Sequence, residues 1–282
     1  MDKRPVGVFD SGLGGLTAVR ELRRLLPGED IVYFGDTGRV PYGNRGSGII
    51  RQYARQDIAF LLGRGVKLIL AACGTVSSTY PPGEAAGLPL PYLGVVEPTA
   101  AAAAAATRSG RIGIIGTAAT IRSGSYERLL HTLRPGVSTM ARACPLFVPL
   151  VENGHIAPQD PVSSLVAEEY LAPLRDAGVD TLILGCTHYP LLAGVIGRVM
   201  GPGVALIDAG REAARAVQER LAAAELLNET GGSVRYYVTD STDQFAAMAD
   251  LCLDADARGP VEHVPIERVA ALEPDFGGPA HR

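Results

Sequence analysis

Short apolar runs alternate along the chain with longer stretches in which apolar side chains recur every three or four positions. Residues 6–9, 31–34, 66–71, 112–115, 181–184, 204–207 and 234–238 are apolar almost throughout and too short for helices, the pattern of strands buried on both faces. Residues 16–26, 49–62, 162–174 and 212–227 carry the helical period. In the first of these, Leu16, Val19, Leu22, Leu25 and Leu26 share one face, and Pro27-Gly28 ends it. Repeated strand–helix alternation predicts an α/β protein with parallel sheets covered by helices. Functional groups in such sheets lie just beyond the carboxyl ends of the strands.

The apolar pattern also repeats. Val6-Gly7-Val8-Phe9-Asp10-Ser11-Gly12 resembles Ile112-Gly113-Ile114-Ile115-Gly116-Thr117-Ala118, and Leu68-Ile69-Leu70-Ala71-Ala72-Cys73-Gly74-Thr75 resembles Leu182-Ile183-Leu184-Gly185-Cys186-Thr187-His188. Each half carries a hydroxyl-bearing first turn and, later, a cysteine at a strand end. This predicts two similar parallel-sheet α/β domains related by pseudo-two-fold symmetry, with the site in the cleft between them. The expected domains are 1–95 plus 208–282, and 96–207. The Gly- and Pro-rich tail, 273–282, is expected to fray.

Composition narrows the chemistry. The chain has 282 residues, a hydrophobic fraction of 47% and a net charge of −4, with a pI near 5.8. Its basic residues are scattered and Arg20, Arg23 and Arg24 read as a solvated helix face, so no basic stripe for nucleic acid is expected. Four cysteines in so long a chain do not make a disulfide scaffold. No signal peptide is read at the start, and the alanine run 100–106 is too short to span a membrane, so a reduced, cytoplasmic protein is expected. The only lysines are Lys3, in the terminal tail, and Lys67, at the start of a strand, so a pyridoxal Schiff base has no well-placed lysine and no cofactor is expected.

Cys73 and Cys186 stand out because they occupy equivalent places in the repeat, at strand ends, each before residues able to start a helix. Two such thiols across a cleft suit a reaction that takes a proton from one face of a carbon and returns one to the other. Cys144 and Cys252 lack these features and read as buried, structural residues. Asp10 is a strand-end cap or a site carboxylate. His188, two residues beyond Cys186, is placed to orient or ion-pair with that thiol, and Glu152 is either its partner or a surface turn. Gly12-Leu13-Gly14-Gly15 matches a dinucleotide loop only in part, since Thr17 stands at the third glycine position. Its backbone amides and the Ser11 hydroxyl suit a small carboxylate or amine instead. Cys-x-His without a second ligand pair is no zinc motif, and Thr79 in place of Arg excludes a Cys-x5-Arg phosphatase loop.

Val8-Phe9-Asp10-Ser11-Gly12-Leu13-Gly14-Gly15-Leu16, Gly35-Asp36-Thr37 with Pro41-Tyr42-Gly43, and Leu184-Gly185-Cys186-Thr187-His188-Tyr189-Pro190-Leu191 together resemble the glutamate racemase family, from about Val6 through Asp208. The resemblance implies a two-domain, often dimeric α/β enzyme that interconverts L- and D-glutamate without a cofactor and supplies D-glutamate for peptidoglycan. It implies that Cys73 acts on the D-enantiomer and Cys186 on the L-enantiomer. It also implies substrate contacts from Asp10, Ser11, Tyr42, Gly43, Thr75, Thr187 and His188, with Thr117 and Thr120 as further contacts. The family usually reads Cys-Asn-Thr-Ala-Ser where this chain reads Cys73-Gly74-Thr75-Val76-Ser77. An Asn amide is therefore missing, and the backbone N–H groups of Gly74 and Thr75 are left to hold a carboxylate. An aspartate or other acidic amino-acid racemase is the second reading, and a non-catalytic regulatory protein that kept the cleft is the third.

Overall fold

The computed structural model describes residues 2–272, so the expected fraying of 273–282 lies outside the described residues. The strands are β1 (Val6–Asp10), β2 (Ile31–Gly35), β3 (Leu68–Ala71), β4 (Tyr92–Gly94), β5 (Arg111–Gly116), β6 (Ser138–Ala143), β7 (Thr181–Leu184), β8 (Ala205–Asp208), β9 (Val234–Val238) and β10 (Val261–His263). The helices are α1 (Leu16–Leu25), α2 (Ser47–Leu62), α3 (Gly74–Thr79), α4 (Val96–Ala106), α5 (Ala118–Ser123), α6 (Ser125–Leu133), α7 (Phe147–Glu152), α8 (Pro161–Asp176), α9 (Ala193–Met200), α10 (Ala209–Ala223), α11 (Thr242–Cys252) and α12 (Ile266–Ala270).

The strands form two sheets, ordered β10-β9-β2-β1-β3-β4 and β6-β5-β7-β8, and all pairings are parallel. The order β2-β1-β3-β4 in the first sheet is the order β6-β5-β7-β8 in the second, so the sequence repeat is a repeat of topology. The chain leaves the first sheet after Gly94 and returns to it with β9, beside β2. Strands β1, β2, β3 and β7 are buried along their whole length, which is why they read as continuous apolar runs.

Helix ends follow local chemistry. Asp160 caps α8 by accepting from the Ser163 N–H, with Pro161 at the first helical position, and the Asp208 carboxylate accepts from the N–H groups of Gly210 and Arg211 to start α10. Helix α10 stops at Ala223, short of the expected residue 227, and Glu225 then turns the chain at φ 57°. Strands β4, β6 and β10 are not among the expected strands, and of helix α3 the sequence shows only residues able to start a helix after Cys73. Edge strand β6 alternates exposed and half-buried residues instead of forming an apolar run. Helix α3, Gly-Thr-Val-Ser-Ser-Thr, is made of poor helix formers, and burial of all its residues holds it.

Two expectations about charge are corrected. Arg23 is not on a solvated face: it is 7% exposed and donates to the Pro27 and Glu29 carbonyls, because α1 packs its arginine stem inward. Nor do the basic residues stay scattered, since folding gathers Arg45, Arg51, Arg122 and Arg128 around one cavity. Lys67 is fully buried, with Nζ 2.6 Å from Glu29 and 2.7 Å from the Asp2 and Leu226 carbonyls. It precedes β3, at the end of that strand opposite Cys73. Among the described residues no helix is long and apolar enough to cross a membrane.

Candidate active site

Four equivalent turns meet between the two sheets. Ser11 follows β1 and Cys73 follows β3; Thr117 follows β5 and Cys186 follows β7. Cys73 is the residue that starts α3. Cys186 lies in a turn leading only to a 3-10 segment, Tyr189–Leu192, with α9 beginning later, so a helix start follows one cysteine and not the other.

Both cysteines line one cavity of about 390 Å³, shared with Ser11, Tyr42, Gly43, Gly74, Thr75, Thr117, Glu152, Thr187 and His188. That volume is within the range of small-ligand sites. Asp10 and Thr120 do not line it. Asp10 is 1% exposed behind Cys73, and the Thr120 hydroxyl lies 3.0 Å from that of Thr117. Tyr42 lines the cavity, but its hydroxyl donates away from it, to Asp36 and, at 3.3 Å, to Asp57. Among the described residues no Lys or Arg lines the cavity, so hydroxyls, backbone N–H groups, the Asn44 amide and His188 are the donors available to carboxylates.

The two domains touch across the cleft. The Thr75 and Thr117 hydroxyls are 2.9 Å apart, and the Thr17 hydroxyl donates to the Thr187 carbonyl at 2.9 Å. One glycine of the Gly12–Gly15 loop, Gly14, serves this approach. A Cβ on Gly14 meets the Thr187 hydroxyl at 2.3 Å and the His188 ring at 2.5 Å. Gly74 has the same role opposite: a Cβ there meets the Gly185 carbonyl oxygen at 2.2 Å. The position that departs from the family pattern is thus one where the cysteine turns leave no room for a side chain.

The two thiols have different surroundings. Cys73 Sγ lies 3.3 Å from the Ser11 hydroxyl. Burial, and next the adjacent Asp10 carboxylate, push its thiol up to about 12. Asp10 is itself raised by burial, which outweighs the charge of His188; its Oδ2 accepts from the Gly12 N–H, while Oδ1 is buried without a partner. Cys186 Sγ lies 3.9 Å from His188 Nδ1, and His188 Nε2 lies 3.2 Å from Glu152. Burial alone lowers the His188 pKa, but its bonds to Cys186 and Glu152 and the charge of Asp10 reverse this and raise it to about 10. His188 is therefore an imidazolium at neutral pH.

Sequence reasoning did not single out Val40 and Asn44, or Pro145, Val148 and Pro149, which close the cavity. Val40 and Asn44 flank the quoted motif Pro41-Tyr42-Gly43, the one signal available. Behind Tyr42 lies a buried network in which Arg39 bonds Asp36 at 2.5 Å and Asp57 at 3.0 Å. Only the Gly35-Asp36-Thr37 motif pointed toward it.

The chain also resembles known proteins. The Asp/Glu/Hydantoin racemase family model matches residues 45–217. The chain belongs to that family. The glutamate racemase of Geobacter metallireducens is 48% identical over 242 residues, 85% of this chain and 89% of the relative. The crystal structure of the Thermus thermophilus glutamate racemase with β-chloro-D-alanine matches with a TM-score of 0.84 at 46% identity, over 95% of this chain and 99% of that one. The Francisella tularensis glutamate racemase with D-glutamate gives a TM-score of 0.85 at 34% identity, over 95% and 100%. This racemase relative thus shares both the two-sheet fold and most of its length with them.

Proposed function

We propose that this chain interconverts L- and D-glutamate by proton transfer between Cys73 and Cys186, with no cofactor. The observation that carries the reading is that the two cysteines, equivalent in the repeat, line one amino-acid-sized cavity from opposite domains. With glutamate between them, one sulfur takes the α-proton: the Cα–H bond breaks, an S–H bond forms, and the electron pair spreads into the α-carboxylate. The opposite S–H then gives its proton to the other face of Cα. Each turnover leaves the two sulfurs with exchanged protonation, ready for the reverse direction.

Hydroxyls of Ser11, Thr75, Thr117 and Thr187 line the cavity and suit the substrate's carboxylates and amine. The His188 imidazolium is placed against the negative charge that develops on Cys186, and Asp10 against the proton that arrives at or leaves Cys73. Family likeness supports the rest of the reading: Cys73 serving D-glutamate, Cys186 serving L-glutamate, a cytoplasmic homodimer, and D-glutamate destined for peptidoglycan. Sedimentation checks the dimer.

The test is L-glutamate with purified protein in heavy water, without pyridoxal phosphate. Loss of optical rotation with deuterium at Cα is expected. Absence of both overturns the reading. A clear kcat/KM preference for aspartate in the same assay overturns the substrate and leaves the two-thiol chemistry standing.

A further inference from the structure

Tyr42 forms part of the cavity wall, yet its hydroxyl bonds into a buried polar cluster behind that wall. Asp36 and Asp57 have no exposed surface and share one guanidinium. That of Arg39 bonds Asp36 at 2.5 Å, Asp57 at 3.0 Å and the Gln56 side-chain oxygen at 2.5 Å. The Tyr42 hydroxyl bonds Asp36 and lies 3.3 Å from Asp57 Oδ2. Two ionised carboxylates against one cation would leave an unpaired buried charge, which is costly inside a protein. Burial, and next the charge of Asp36, raise Asp57 well above the usual carboxylate range, against the pull of Arg39. Asp57 therefore keeps its proton. Asp36 Oδ2, Tyr42 Oη and Asp57 Oδ2 then hold two protons among three oxygens, enough for a continuous chain of hydrogen bonds.

The cluster gathers three parts of the first-sheet side. Asp36, Arg39 and Tyr42 belong to the segment between β2 and α2, and Gln56 and Asp57 to α2. The third part is the C-terminal return. Thr239, just after β9, donates to Asp36 at 3.1 Å and accepts from the Gly38 N–H at 2.8 Å. The Gln56 amide donates to the Ala270 carbonyl, in α12, at 2.9 Å. The second-sheet side reaches the same turn from across the cleft, where the Ala119 N–H donates to the Gly43 carbonyl at 2.9 Å. Tyr42-Gly43 is thus held by α5 on one side and by the Asp36–Asp57 cluster on the other.

We propose that Asp57 is a positioning residue for racemisation: through the Tyr42 hydroxyl it fixes where the Tyr42-Gly43 turn stands in the cavity, and so how tightly a substrate carboxylate is held. The proposal rests on the two-thiol reading above. Arg39 with Asp36 already balances charge, so Asp57 is not needed to neutralise the cluster. What it adds is a second tether on Tyr42 Oη. A hydroxyl held by one bond turns about it, whereas one held between two oxygens fixes its ring and the backbone that carries it. Asp57 does not line the cavity, and neither thiol touches it. Its loss therefore falls on binding more than on proton transfer.

The test is glutamate racemisation kinetics in the full chain, with a melting curve for every variant. D57A should raise KM about tenfold and leave kcat within about threefold. D57N should recover most of that affinity, because its amide N–H replaces the acid proton towards Tyr42 Oη while its oxygen accepts from Arg39. Y42F keeps the ring and loses both tethers, so it should raise KM by a similar factor, and D57A/Y42F should be no worse than Y42F alone. A merely structural Asp57 gives the opposite pattern: a lower melting temperature, parental KM and additive effects. If D57A does not melt cooperatively, D57N/Y42F takes its place and should match Y42F. Parental KM in D57A or Y42F, additive effects in the double variant, or D57N as impaired as D57A overturns the proposal and leaves the two-thiol reading standing. A parent chain that racemises no glutamate overturns both.

Discussion

The Cys73 turn and the Cys186 turn occupy the same place in two sheets of the same strand order, yet their partners differ in kind. Cys73 starts a helix, touches a serine hydroxyl and backs onto a buried carboxyl. Cys186 has no helix start of its own and faces a histidine that is cationic up to about pH 10. The repeat thus supplies opposed positions, and the side chains around them make the two halves unequal. Burial and Asp10 favour the neutral thiol at Cys73. On the proposed two-thiol mechanism, the charge that develops at Cys186 meets an imidazolium, and a reaction whose two substrates are mirror images would be served by two chemically different ends.

Removing either sulfur is the severest test of that comparison. Cys73→Ala and Cys186→Ala should each lower racemisation by at least about 10³-fold. Each should keep α-proton exchange with one enantiomer only: L-glutamate in Cys73→Ala and D-glutamate in Cys186→Ala, read by proton NMR in heavy water. Exchange of both enantiomers by one variant would break the assignment of one thiol to one face.

The next effect comes from the residue after Cys73. Thr187 follows Cys186, whereas Gly74 follows Cys73, and a Cβ at 74 meets the Gly185 carbonyl oxygen at 2.2 Å. Gly74→Ala must push the turns apart by a fraction of an ångström to about 1 Å. A displacement of that size costs about 10²-fold when reacting groups must be aligned. The expected outcome is a fall in kcat with an unchanged melting temperature, since the clash is relieved by opening the cleft. Unchanged kcat would show that the cleft works in a more open state.

Asp10 and His188 then separate the two ends. Asp10→Asn and His188→Asn should each cost about 10–10² in kcat. The equilibrium constant between enantiomers is one, so kcat/KM must stay equal in the two directions. The asymmetry appears instead in kcat and KM taken separately, and in which α-proton exchanges more slowly. His188 also links activity to stability. Its folded pKa, about 10, lies above its ordinary 6.5, so its charge interactions stabilise the fold fully below pH 6.5 and are lost as pH rises toward 10. The melting temperature of the parent chain should therefore fall relative to His188→Asn across that window.

Much of this was legible in the sequence because buried parallel strands write themselves as apolar runs, and because the repeat placed Cys73 and Cys186 in equivalent turns. What escaped was whatever depends on approach between distant segments. Thr17 looked like a failed nucleotide fingerprint until its bond to the Thr187 carbonyl appeared. Gly14 and Gly74 gave no hint of which backbone or ring came close. Helix α3 is held by burial against its own propensity, and strand β6 lies at an edge without an apolar run. Arg45, Arg51, Arg122 and Arg128 are far apart in sequence and meet only across the domain junction.

The smallest expected effect concerns Glu152, whose side chain is half exposed while its carboxylate lies 3.2 Å from His188 Nε2. Water screens such a charge, so Glu152→Gln should lower kcat only a few-fold. Its sign is more informative than its size. The Glu152 charge favours the imidazolium, so removing it lets burial pull the His188 pKa down. Cys186 and Asp10 remain to hold part of the shift. The alkaline limb of the kcat profile should therefore move to lower pH by less than about one unit. Proton exchange that depends on Cys73 should keep its own pH dependence, because the hydrogen bond of Glu152 is to His188, at the Cys186 end. A limb that stays in place would make Glu152 a surface residue, and a shift in both exchange reactions would mean that the two ends titrate as one.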